Sequence, residues 1–150
     1  MLQRIQTLYL LGAVLLSGGL FVLPVARIDS GQAMTSLFIT GGASAHTSGW
    51  LQLLLAAVFG VTAAGNLLIL FLYRNRKLQL RWIGKLLLLL LAGTILLMVF
   101  LLKTWHASQG GIFHPEPAVI FPLLAFVLML LARRSVKKDQ DLVDSLDRLR

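Results

Sequence analysis

At 150 residues, 57% hydrophobic and only 13% charged, the chain has more apolar surface than a soluble domain of its size can bury, so a bilayer must be part of its solvent. Its net charge of +8 does not mark a nucleic-acid binder, because the basic residues flank apolar runs, where they act as topology signals and contacts for anionic lipid. It has no cysteine, which excludes disulfides, thiol chemistry and cysteine metal sites.

The chain opens Met1-Leu2-Gln3-Arg4-Ile5-Gln6-Thr7, and an apolar run follows from Leu8 to Ala26. That run is longer than the roughly 7–15 residues of a signal-peptide core, and Pro24 fits a cleavage site badly, so it reads as a retained first transmembrane helix. Arg4 then lies in the cytoplasm. The Ser17-Gly18-Gly19 patch lets another helix approach closely. Arg27 to Gly49 reads as an outer loop containing one short strand, Met34 to Thr40, stopped by Gly41-Gly42. A lone strand is unstable, so it needs a partner. Ile112-Phe113-His114 in the second outer loop offers one, predicting a two-stranded cap.

The middle of the chain holds two apolar runs, Leu51–Tyr73 and Ile83–Leu102. Each is about 20 residues, enough for a helix to cross a hydrocarbon core about 30 Å thick. The loop between them carries Arg74, Arg76, Lys77 and Arg81, and such a loop stays on the cytoplasmic side. In the second helix Ala56, Gly60 and Ala64 form one small-residue stripe suited to helix packing. Asn66 is a candidate intramembrane polar contact, with Ser17 or Thr94 as expected hydrogen-bond partners. The third helix contains six consecutive leucines, Leu86 to Leu91, which suit lipid contact better than a pore lining.

The fourth apolar run, Val119 to Ala132, is short and crosses only if its helix starts near His114 or Pro115, with Pro122 bending it. Taking four crossings with both termini inside, only Arg27 and Lys103 of the 14 Lys and Arg residues lie outside. Trp50 and Trp105 mark the outer interface, and Tyr9, Tyr73 and Trp82 the inner one. The fold class is therefore all-α integral membrane, with a four-helix transmembrane domain over 1–132 and a charged cytoplasmic helical tail over 133–150. On the tail, Leu142, Val143, Leu146 and Leu149 share a face, and Asp144 precedes Arg148 at a favourable helix spacing. Arg74, Arg76, Lys77, Arg81, Arg148 and the tail's apolar face are the candidate contacts for lipid headgroups or a partner protein.

No stretch has catalytic, nucleotide or cofactor chemistry. His46, His106, His114 and Glu116 are the residue types that ligate zinc, but they lack helical ligand spacing and read as interface residues, with Glu116 capping the fourth helix. All six acids lie in loops or the tail, which counts against proton-coupled transport.

The two ends resemble a known family. Met1-Leu2-Gln3-Arg4-Ile5-Gln6-Thr7-Leu8-Tyr9-Leu10-Leu11 and the closing Asp-Leu-Val-Asp-Ser-Leu-Asp-Arg-Leu-Arg are similar to the ends of small four-helix bacterial membrane proteins catalogued as domain of unknown function 4293. The resemblance implies a four-helix membrane architecture in the bacterial inner membrane and supplies no activity. If both ends are cytoplasmic, Gln3, Arg4 and Gln6 are expected to pair with Asp144 and Asp147. The resulting expectation is a non-enzymatic accessory or scaffold subunit of a larger membrane complex, contacting lipids and other membrane subunits, with no cofactor, nucleic acid or small-molecule substrate identified. The rival is a small transporter or channel-like protein lined by Asn66 and the Ser17 patch. An enzyme of lipid metabolism is third.

Overall fold

The computed structural model describes residues 2–29, 34–41, 49–72, 76–107 and 111–148, with side chains throughout except at 2–4, 76, 77, 143, 144 and 146–148. Four helices carry the architecture: α1 (Leu2–Val22), α2 (Gly49–Phe71), α3 (Arg76–Ala107) and α4 (Phe121–Arg148). Each contains a stretch long and apolar enough to cross a membrane: Ile5–Val22, Gly49–Phe71, Leu78–Ala107, and Pro117–Leu142, which begins in the turn ahead of α4. They pack in a closed ring in which α1 meets α2 and α4, and α3 meets the same two. Large apolar side chains remain exposed along the outside of every helix, including Leu15, Leu53, Leu68, Leu88, Ile95 and Val127. Leaving so many unburied is unfavourable in water and natural against lipid tails.

The core is a filled column. Phe59, Phe100, Leu90, Leu97 and Met129 are fully enclosed at its centre. Close approach is set by glycine. A Cβ at Gly93 would sit 2.8 Å from Val58 Cγ1, and one at Gly65 would sit 2.8 Å from both Leu86 methyls, so each glycine leaves room that a side chain of the facing helix fills. Gly12 and Gly19 do the same for α1 against Leu128 and Phe121 of α4. The expected Ala56–Gly60–Ala64 stripe is not the tight seam. A Cβ at Gly60 would touch Phe21 at an ordinary 3.7 Å, and Ala64 is exposed.

Three boundaries differ from the sequence reading. α3 begins at Arg76, so the expected basic loop over 74–82 is helical through most of its length. No proline or glycine interrupts Arg76–Ile83, and Gln79 is buried, so the helix gains by continuing past the apolar run. The tail over 133–148 is the uninterrupted continuation of α4 and not a separate element. Pro122 does not bend α4. A 3-10 turn, Pro117–Ile120, leads directly into the helix, and Pro122 is its second residue, where no helical N–H is required.

A three-stranded antiparallel sheet covers one end of the bundle, in the order β2-β1-β3, with β1 at Ala26–Asp29, β2 at Met34–Leu37 and β3 at Ile112–Pro115. The two strands expected from sequence do form, but they do not pair with each other. β1 lies between them, with Arg27 opposite both Ser36 and His114. Ala26 and Leu37 are fully buried toward the helices, while Arg27 and His114 are exposed on the other face. The Val25 N–H donates to Leu37 O at 2.8 Å and the Glu116 N–H to Val25 O at 3.1 Å, which tie the strand ends together. Beyond β2 the chain turns at Gly41, whose φ of +123° is open to glycine and strained for other residues.

Candidate functional site

Two ends of the bundle differ in chemistry. At the sheet end the described cations are Arg27 and Lys103. Arg27 Nε lies 3.0 Å from Glu116 Oε1, an ion pair that joins β1 to the start of the fourth span. Glu116 does occupy the N-cap position of the 3-10 turn, but its carboxylate makes no capping hydrogen bond and goes to Arg27 instead. The Lys103 ammonium stands 6.0 Å from the Trp50 ring centre, and Trp105 stacks on His106 at 5.8 Å. Rings with one polar edge suit a membrane–water boundary. His46 lies outside the described residues. Among the described ones, no group of three or more His, Asp or Glu side chains is arranged to hold a metal ion.

At the opposite end Arg81, Lys85, Arg133, Arg134, Lys137 and Lys138 are all exposed. The Lys85 ammonium lies 5.0 Å over the Trp82 ring. Of the other residues singled out from sequence, Arg74 and Leu149 lie outside the described residues. Arg76, Lys77, Val143, Leu146 and Arg148 are helical in backbone only, and Leu142 is half-exposed on α4.

The chain's two ends do meet, through Gln6 as expected but with Asp139 in place of Asp144 or Asp147 as the acceptor. Gln6 Nε2 donates to Asp139 Oδ2 at 3.2 Å, and both side chains are nearly buried. Asp139 precedes the expected Asp144 by more than one helical turn. The described start of α1 packs on α4 at the height of Asp139 because the two helices run antiparallel and Gly12 faces Leu128. The side chains of Gln3, Arg4, Asp144 and Asp147 are not among those described.

Asn66 is fully enclosed. Its partner is neither Ser17 nor Thr94. Those hydroxyls donate to the carbonyls of Ala13 and Leu90 in their own helices, each at 2.7 Å. Asn66 Nδ2 donates instead to Met129 Sδ on α4 at 3.6 Å, across the bundle centre. Its Oδ1 has no hydrogen-bond partner. A thioether is a weak acceptor, which is why sequence reasoning overlooked it.

These features define a multi-pass α-helical membrane protein: a solid four-helix bundle with a small sheet at one end and a cationic belt at the other. Within that class, the chain belongs to the family described as Domain of unknown function (DUF4293), whose model matches residues 2–149, nearly the whole sequence. No curated protein and no solved structure matches it.

Proposed function

We propose that this protein is a non-enzymatic accessory or scaffold subunit of a larger assembly in the bacterial inner membrane, with both termini in the cytoplasm. The observation that carries the reading is the length of α4. Phe121–Arg148 is one helix of 28 residues, about 42 Å at 1.5 Å per residue, against a hydrocarbon core of about 30 Å. Its last turns therefore stand clear of the bilayer. They are anchored near their base by Gln6–Asp139 and carry the exposed Leu142. A stiff post of this kind presents a surface to a partner subunit with little ordering entropy to lose. The cytoplasmic placement rests on the lysine and arginine excess at that end.

The transporter reading has less behind it, because the bundle axis is occupied by Phe59, Leu90, Phe100 and Met129. A C-terminally tagged protein purified from its native membrane in mild detergent should run as an assembly of fixed stoichiometry. That assembly should be lost when 143–150 is deleted. A lone monomer or homodimer overturns the subunit reading.

A further inference from the structure

The groove between α3 and α4 at the cationic end has features that no role above uses. Gly84 leaves a gap in the side of α3, and the Arg133 guanidinium lies across it. A Cβ at Gly84 would sit 3.9 Å from Arg133 Nη2. Lys137 is one turn further along the same face of α4, and Arg81 is one turn before Gly84 on α3. The helices are antiparallel, so with Gly84 level with Arg133, Lys137 falls level with the turn that carries Arg81. Three exposed cations thus stand within about one helical turn of one another. None of the three makes an ion pair among the described residues.

One turn toward the bundle centre, Leu88 on α3 and Leu130 on α4 flank the same groove, 70% and 36% exposed. Exposed apolar side chains therefore lie just beneath the exposed cations where α3 and α4 meet. Its depth fits a membrane surface. Gly84 and Lys103 are 19 residues apart on one helix, about 28 Å, close to one hydrocarbon thickness.

We propose that this groove is a binding site for an anionic phospholipid with two phosphodiester groups, its acyl chains lying along Leu88 and Leu130. Two guanidinium forks and an ammonium match two phosphates better than one, because a single phosphate leaves the rim strongly positive. The exposed leucines distinguish a lipid from free phosphate, which has no acyl chain to lay along them. Basic pockets between membrane helices recognise such headgroups on this principle. The inference rests on the reading that the cationic end lies at the bilayer surface, and it is independent of which surface that is.

The test is native mass spectrometry of the full chain in non-ionic detergent, titrated separately with cardiolipin, phosphatidylglycerol, phosphatidylcholine and inorganic phosphate. Cardiolipin should remain bound at the lowest concentration and phosphatidylcholine should not be retained. Arg133→Gln with Lys137→Gln should weaken cardiolipin roughly tenfold or more, while Lys103→Gln, at the other end, leaves it unchanged. Circular dichroism checks that the double variant folds. If it does not, Arg81→Gln, on an exposed surface, carries the same test. Equal retention of cardiolipin and phosphatidylcholine, equal protection by inorganic phosphate, or wild-type binding by a folded variant overturns the site. Because the measurement is made in detergent, its failure leaves the transmembrane orientation untouched.

Discussion

Replacing Gly93 with alanine is a sharp test of how α2 and α3 pack. The added methyl would lie 2.8 Å from Val58 Cγ1 and 3.5 Å from two atoms of the Phe59 ring. Valine is β-branched and holds one rotamer in a helix, so its methyl cannot swing away. Relief requires the two helices to separate by several tenths of an ångström along a close-packed seam. Overpacking of this kind costs about 1–3 kcal/mol. Alanine returns about 1 kcal/mol in helix propensity, leaving a net loss of about 1 kcal/mol. Reversible unfolding in mixed micelles, followed by tryptophan fluorescence, measures the difference. Val58→Ala in the Gly93→Ala background should recover much of the loss, since the two sites share one contact. Gly60→Ala is the matched control: its methyl meets Phe21 at 3.7 Å, so it should be neutral or stabilising. Gly93→Ala as stable as the wild type, or a loss that Val58→Ala does not relieve, refutes the packing argument.

Other outcomes follow from single contacts. Asn66→Leu removes a buried oxygen that has no partner, together with a weak bond to Met129, so it should be neutral or stabilising by about 1 kcal/mol in the same unfolding assay. A loss above about 2 kcal/mol would mean that the amide carries a stronger interaction. Glu116→Gln breaks a half-exposed ion pair and should cost less than about 1 kcal/mol, with the difference shrinking in high salt. Gln6→Leu removes the donor to Asp139 without altering the scissile bond, and should speed trypsin cleavage after Lys138, measured by mass spectrometry of the digest. Unchanged cleavage would show that the contact does not hold the post in place.

The four spans were legible because length and hydropathy alone decide whether a helix can cross lipid. What escaped was governed by shorter-range physics. β1 is four residues, Ala26-Arg27-Ile28-Asp29, and its alternation of apolar and charged side chains was hidden by its position just after Pro24 at the end of an apolar run. Once β1 is in place, the strands at 34–37 and 112–115 each have a partner, which explains why both were foreseen and their pairing was not. The basic segment at 76–82 reads as a loop from its charge, although charge does not break a helix and nothing else there does. Small residues announced close packing in general terms. Which of them made contact depended on helix rotation, so the seam fell on Gly65 and Gly93 while Ala64 faced outward. Of the basic residues that the sequence singles out, Arg81 is one turn from Gly84, and its nearness to Arg133 follows only from how α3 packs on α4.

In the proposed orientation the four spans hold the cationic end in the cytoplasm and the sheet outside it. Because the chain has no cysteine of its own, single cysteines report this directly. Thr40→Cys, exposed just beyond β2, should react with a membrane-impermeant maleimide in cells whose inner membrane is intact, and Ser145→Cys, exposed on the far part of α4, only after that membrane is opened. Labelling of Ser145→Cys in intact cells with Thr40→Cys protected would invert the protein, and labelling of both would mean an even number of crossings between the two sites in place of three.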